Sequence, residues 1–480
     1  MEVKSLKHNF IMYFVRTFFN LGFGIIIFPL VARKLGAENL GKIQYVESIV
    51  AYFLLFINLG IDNYGKREVA LYRDNREKLE EIVSELFIIL IINTFIGISI
   101  YFIFIFLYVK DIIIKNILFI FSLNLLLNCL SLEWFFVGIE NQTYITKRNS
   151  FLKIVSAILI LILIKDKKDI YIYSGILVFS LVSINLFNFY NIKNYISLAK
   201  INIRNLKEHF SVLFYFFFSV LALSLAYNLD SIMIMKIKGS MELGFYSIAS
   251  KLGKLPIIFI TAVSGVTYPR ICNFLQNNKR DEYINLEKNI FNILLIFSIP
   301  ASLGMFMLSS DIILLFGGKE YVKSIPILQV FSFLILIMSM AVYTGSLTLL
   351  ANKKEKIVTI ALVIGSILNV IFNLIMIPYI GALGAALATL LIEVIGIIIK
   401  VFLAKEIFLE LKLLGFNQIK ILFSTLIMII VLVFLNQYFG TSFYNLGFKI
   451  IVAGLIYFLT LILLKEKLIL EVYNKIRREI

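Results

Sequence analysis

Apolar residues in this chain come in blocks of about twenty, separated by short polar connections rich in lysine and arginine. Wound as a helix at 1.5 Å per residue, such a block crosses a bilayer core about 30 Å thick. Inside hydrocarbon the backbone finds no water to bond, so each block is expected to be helical. The pattern predicts about fourteen spans, near 9–33, 41–64, 82–108, 112–138, 144–164, 170–191, 210–235, 244–268, 288–308, 325–349, 357–378, 381–401, 418–437 and 447–464. The first block is too long for a signal-peptide core and no small-residue cleavage site follows it, so it is expected to remain as a span.

The pattern also repeats. Gly36 is followed by Leu40 and Gly41, and Gly239 by Leu243 and Gly244, at a constant offset of 203 residues. A long apolar run precedes each glycine, and another follows each Leu-Gly pair. One helical hairpin therefore occurs twice, six spans apart, and an even number of spans keeps both copies in the same sense. The expected architecture is an all-α polytopic membrane protein of two parallel-repeat lobes. The first lobe is residues 1–192, a cytoplasmic linker covers 193–209, the second lobe covers 210–403, and two further spans with a cytoplasmic tail occupy 404–480.

Composition agrees with that class: of 480 residues, 60% are hydrophobic. The formal net charge of +16 would suggest nucleic acid in a soluble protein. Here positive-inside bias and attraction to anionic lipid head groups account for it, and no nucleic-acid partner is expected. Even-numbered connections and both ends carry most of the basic residues, among them Lys4, Lys7, Lys66, Arg67, Lys147, Arg148, Lys200, Arg204, Lys207, Lys353, Lys475, Arg477 and Arg478. The odd connections are poorer, the last holding only Lys449. Both termini are therefore placed in the cytoplasm. Cys129, Cys272, His8 and His209 are too scattered for a metal or redox motif, so no metal or other cofactor is expected.

Charges within the apolar blocks carry the candidate chemistry, because each costs about 2.5–3.5 kcal/mol to insert at the bilayer centre. Arg16 lies about two turns into the first span. It either snorkels to the interface or faces a wet cavity, where its fork would suit a phosphate. Lys251 and Lys254, one turn apart on the eighth span, are expected to share a face and to wall a cavity. Asp230 and Lys251 fall at similar depth on an antiparallel hairpin and could pair, Asp230 serving as salt-bridge partner or coupling carboxylate. Glu47 occupies the matching depth in the first lobe, a further candidate for coupling or gating. Asp62, with Glu133 and Arg67, sits near a cytoplasmic end, where an interfacial role competes with gating for Asp62. Glu393 is mid-span with no partner in sequence and receives no assignment.

Three stretches carry a resemblance. FPLVARKLGAENLGK (28–42) with INLGIDNYGKREVALYR (57–73), LDSIMIMKIKGSMELGFYSIASKLGKLP (229–256) with YPRI (268–271), and IPYIGALGAALATLL (377–391) together resemble the Wzx-like O-antigen and polysaccharide flippases of the MOP superfamily. The resemblance covers nearly the whole chain. It implies a fourteen-helix transporter in the bacterial cytoplasmic membrane, moving undecaprenyl-diphosphate-linked oligosaccharide from the inner to the outer leaflet, with a polysaccharide polymerase as a conceivable partner. It also implies a diphosphate-binding role for Arg16, Lys251 and Lys254, the lysines standing where an arginine is expected.

The physics of such a cargo sets the mechanism. A diphosphate with its sugars cannot cross hydrocarbon unaided, whereas the polyprenyl tail need not leave it. A polar, positively charged cavity open to lipid, exposed to each face in turn, meets that need. No G-x-x-x-x-G-K-[ST] loop is present, so the expected driving force is a gradient of H+ or Na+. A multidrug or cation exporter of the same superfamily would favour cavity carboxylates. A membrane-embedded glycan polymerase or ligase, the enzymatic alternative, would need a sizeable outer loop, and no outer connection exceeds about twenty residues. The expectation is a transporter and not an enzyme.

Overall fold

The computed structural model describes residues 6–197, 203–411, 413 and 415–470. Lys4, Lys200, Lys475, Arg477 and Arg478 lie outside the described residues, as do the side chains of Lys7, His8, Arg204 and Lys207. Every described element is a helix. The first eight are α1 (Leu6–Asn58), α2 (Ile61–Tyr72), α3 (Arg76–Tyr108), α4 (Ile112–Leu126), α5 (Glu133–Gly138), α6 (Gln142–Leu163), α7 (Ile170–Ile192) and α8 (Ile203–Lys238). Then follow α9 (Ser240–Gly253), α10 (Ile257–Gln276), α11 (Arg280–Met307), α12 (Ser309–Phe316), α13 (Ser324–Val342), α14 (Glu355–Leu403), α15 (Lys405–Leu411), α16 (Phe416–Tyr438) and α17 (Phe443–Leu463). Among the described residues, ten stretches are long and apolar enough to cross a membrane, including 26–58 and 355–403.

Local sequence sets the helix ends. Asn75, Asp111, Asn141 and Ser442 stand just before α3, α4, α6 and α17, and each side chain accepts a hydrogen bond from a backbone N–H of the first turn. These N–H groups have no partner within the helix, and short polar side chains satisfy them well. The two longest helices bend. α1 turns at Gly36, whose φ of 78° favours glycine, and α14 turns at Gly381 shortly after Pro378. Gly239 between α8 and α9 has φ 89°, so both copies of the repeat turn on a left-handed glycine.

The chain divides into two compact units, residues 1–244 and 245–480. In the first, α8 packs on α1, α2 and α3. The buried trio Tyr64, His209 and Glu85 fixes it there: the Tyr64 hydroxyl is 2.7 Å from His209 Nδ1, and His209 Nε2 is 2.9 Å from Glu85 Oε2. The second Leu-Gly of the repeat also belongs to this unit. A Cβ on Gly41 would collide with the carbonyl of Ser240, and one on Gly244 with the carbonyl of Ala37. The two copies therefore meet backbone to backbone, which only glycine permits.

Two expected spans are interrupted. The one expected over 112–138 leaves helical geometry at Ser131 and Leu132 and restarts as α5. Trp134 at that restart is buried against Gly65 of α2, and Asn128 before it donates to Asn58 Oδ1 at 2.7 Å. The eighth span breaks after Gly253 and resumes behind Pro256, where proline's missing N–H and fixed φ suit a helix start. Two of the basic residues counted with the connections are buried within helices. Arg148 is buried in α6, and Lys449 is buried in α17, where its Nζ reaches Asp311 Oδ2 of α12 at 2.6 Å.

The core of the second unit gathers α10, α11, α13, α16 and α17. α13 runs on into a π-helical stretch, Tyr343–Leu350. Tyr457 of α17 donates to the Ile296 carbonyl of α11 at 2.9 Å. At the polar end of this unit, Arg280 forks onto Glu410 of α15, Nε to Oε1 at 2.7 Å. That hydrogen bond holds the Glu410 carboxyl below the usual carboxylate range.

Candidate functional site

Glu133 opens α5 and holds two guanidinium groups. Its Oε1 lies 3.2 Å from Arg16 Nη2 on α1, and its Oε2 lies 2.7 Å from Arg148 Nη2 on α6. Three helices are thereby joined at one carboxylate. Arg148 is further fixed by Asn188 Oδ1 of α7, by Asn149 Oδ1 at 3.1 Å from its Nε, and by the Tyr144 ring 5.3 Å from its Cζ. Lys153, two turns on from Lys147 along α6, is close enough to Arg16 to repel it. Asp62 of α2 accepts from Asn58 Nδ2 at 3.4 Å and interacts with both Lys66 and Glu133.

The basic side chains around Glu133, those of Arg16, Arg148 and Lys153, outnumber the acidic ones, Glu133 itself and Asp62. The side chain of Arg148 is 3% exposed, while those of Arg16 and Glu133 are 25% and 28% exposed. The geometry thus has a fixed cation behind and an accessible one in front. An anion with several oxygens could share both guanidinium groups in the manner Glu133 now does.

The second unit holds a related arrangement. Lys254 stands in the break between α9 and α10, its Nζ 5.9 Å from the centre of the Phe331 ring. Glu393 of α14 interacts with both Lys254 and Lys400. Lys400 is buried and donates to the Ala341 carbonyl at 3.2 Å. One carboxylate between two cations thus recurs on this side. Lys251 is exposed on the last turn of α9, just ahead of the break in which Lys254 stands.

Asp230 is buried on α8 and interacts with Tyr52 of α1, whose hydroxyl donates to the Ser224 carbonyl at 3.4 Å. Glu47 is half-buried on α1 and interacts with Tyr173 of α7. Asp230 belongs to the first unit and Lys251 to the second. The expected residues other than Lys251 fall into four settings. Arg16 and Asp62 join the Glu133 cluster, Lys254 joins Glu393, and Glu47 and Asp230 occupy separate places on α1 and α8. Sequence reasoning missed the roles of Glu133, Arg148, Lys153 and Lys400. Glu133 meets Arg148 15 residues on and Arg16 on another helix, and Lys153 meets Arg16 across helices, so no helical period links those three to their partners, whereas Lys400 stands two turns from Glu393 on α14 and helical spacing could have found it.

A cavity of about 870 Å³ also lies in the second unit, lined by apolar side chains including Phe259, Phe297, Pro300, Met428, Leu432 and Tyr457. It involves α10, α11, α16 and α17.

Comparison with known proteins follows the same lines. The family described as polysaccharide biosynthesis protein matches residues 6–275, and the MatE family matches residues 216–375. A putative O-antigen transporter of Shigella dysenteriae is 23% identical over 396 residues, covering 81% of this chain and 98% of that protein. The capsular polysaccharide biosynthesis protein CapF of Staphylococcus aureus is 26% identical over 419 residues, covering 83% and 99%. Among solved structures, the lipid II flippase MurJ in an inward closed conformation matches with a TM-score of 0.72 at 21% identity, covering 96% of this chain and all of that one. An inward-facing multidrug resistance MATE transporter of the MOP superfamily matches at 0.65 and 15% identity, covering 83% and 95%. The fold is the all-α one these proteins share.

Proposed function

Because this chain belongs to the polysaccharide biosynthesis protein family, we propose that it is a flippase for oligosaccharide linked to undecaprenyl diphosphate. It would cross the bacterial cytoplasmic membrane fourteen times with both ends in the cytoplasm, and alternate its access between the two leaflets. The observation that carries this reading is the excess positive charge around Glu133. Arg16 is the partly exposed cation of that cluster and Arg148 the buried one. A diphosphate can replace the carboxylate with more oxygens and more charge, so the site discriminates between a phosphorylated head group and neutral lipid. Lys254 and Lys400 around Glu393 offer a second cationic station in the other unit. The apolar cavity near Phe259 and Met428 suits a hydrocarbon tail, and a gradient of H+ or Na+ would supply the work.

The test is transbilayer movement of fluorescent undecaprenyl-diphosphate oligosaccharide in proteoliposomes, comparing wild type with Arg16→Ala. Movement should fall at least about tenfold, the loss of roughly 1.4 kcal/mol of charge-assisted binding, with normal membrane insertion. Undiminished movement removes Arg16 from the site. The match to the MatE family over residues 216–375 favours a second reading, export of organic cations. Efflux of a fluorescent cation from the same vesicles, with no movement of the lipid-linked glycan, would establish that alternative.

A further inference from the structure

Glu287 on α11 is fully buried, yet no lysine, arginine or histidine pairs with it among the described residues. Its surroundings are hydroxyls. Thr348 Oγ1 lies 3.3 Å from Oε2, while Tyr343 and Tyr283 stand close enough to interact. Oε1 completes no hydrogen bond, and neither does the Tyr343 hydroxyl, itself 1% exposed. Both atoms are buried, in a core of Ile290, Phe291, Leu294 and Leu347. An ionised carboxylate in that setting would cost several kcal/mol, with hydroxyls but no cation opposite to offset it. A proton on the carboxyl removes that charge, and the neutral group still accepts from Thr348.

Two further features distinguish this place from a buried acid that is merely structural. A line of polar side chains leads to it: Asn352 is half-buried beside exposed Lys353, its Nδ2 donates to Tyr283 Oη at 2.9 Å, and Tyr283 lies one turn before Glu287 on α11. Tyr343 and Thr348, which face the carboxyl, both belong to the π-helical stretch that continues α13. Such stretches carry looser backbone bonding and concentrate at functional sites.

We propose that Glu287 is a proton-binding site of the second unit, loaded along the Asn352–Tyr283 line and read out by the π-helical stretch through Tyr343 and Thr348. The titratable or charged groups around it are Tyr283 on α11, with Arg280 and, on α15, Glu410 beyond it, and Tyr343 on the π-helical stretch. Loading puts the proton on Oε1. Unloading leaves a carboxylate that turns the Tyr343 O–H towards itself and so shifts the segment carrying that residue. The coupling role rests on the transporter reading above, whereas the proton site itself does not.

The experiment separates the two. Infrared difference spectra of the full chain in nanodiscs, taken across a pH titration, should show a protonated-carboxyl band that disappears in Glu287→Gln. Tyr343→Phe should keep the band and move its titration midpoint. A band that persists in the Gln variant overturns the assignment, as does a midpoint indifferent to Tyr343→Phe. Loss of the band on adding sodium at constant pH also overturns it, in favour of a sodium site. In proteoliposomes with fluorescent undecaprenyl-diphosphate oligosaccharide, an imposed pH gradient should accelerate wild-type movement on the order of tenfold. The Gln variant should retain only the gradient-independent rate. Equal acceleration in both refutes the coupling role. No glycan movement in wild type, with the carboxyl band still titrating, sinks the transporter reading and leaves the proton site standing.

Discussion

Arg16 and Arg148 share one carboxylate but differ in what their loss would do. The Arg148 side chain is 3% exposed and tied to Asn188 and Asn149 as well as Glu133, so truncating it strands buried acceptors. Arg148→Ala should cost about 3–5 kcal/mol of stability. Arg16→Ala, at a quarter-exposed side chain with one ion-pair partner, should cost about 1 kcal/mol or less. The chain's one tryptophan, Trp134, adjoins Glu133 and is fully buried. Thermal unfolding followed by its fluorescence can therefore rank the two variants, and equal losses would contradict the geometry. A charge in the first apolar block was legible as unusual because the insertion cost flags any arginine there. Its partner was not legible, because Glu133 looks ordinary beside a span end and reaches Arg16 only through the α4–α5 break.

At the scale of elements, the buried Lys449–Asp311 pair locks α17 to α12. From sequence Lys449 counts with the last connection although it falls just inside the span expected over 447–464. The helix instead begins at Phe443, capped by Ser442, and swallows it. Lys449→Met should destabilise the second unit by about 3–5 kcal/mol by leaving Asp311 uncompensated. Adding Asp311→Leu to that variant should restore most of the loss, since apolar residues of similar size often replace a buried pair without penalty. Denaturant titration of both variants checks this, and a double variant no better than the single would show that Asp311 has another essential partner. The class of helix was readable because apolar run length is a strong signal, and ten stretches among the described residues are long and apolar enough to cross a membrane. The restarts at Glu133 and Ile257 were not, because they depend on how Trp134 and Pro256 seat against neighbouring helices.

At the scale of the whole chain, the repeated Gly-x-x-x-Leu-Gly was the most informative pattern, and each copy does turn on a left-handed glycine. What the pattern could not tell is that the copies touch. A side chain at Gly41 would meet rigid backbone, with no flexible neighbour able to yield. Gly41→Ala should therefore cost about 1–3 kcal/mol, the range for forced overpacking, while Gly22→Ala, in open space, should be close to neutral. Yield of detergent-stable protein is the readout, and parity between the two would count against the contact.

That meeting of Gly41 with Ser240 and Gly244 also has a consequence for biogenesis. Its two sides lie about two hundred residues apart, so a ribosome adding roughly 5–20 residues each second needs about 10–40 s to supply the later side. Until then the nascent protein sits in the bilayer with a notched, unsealed first hairpin, open to whatever membrane chaperone or protease arrives first.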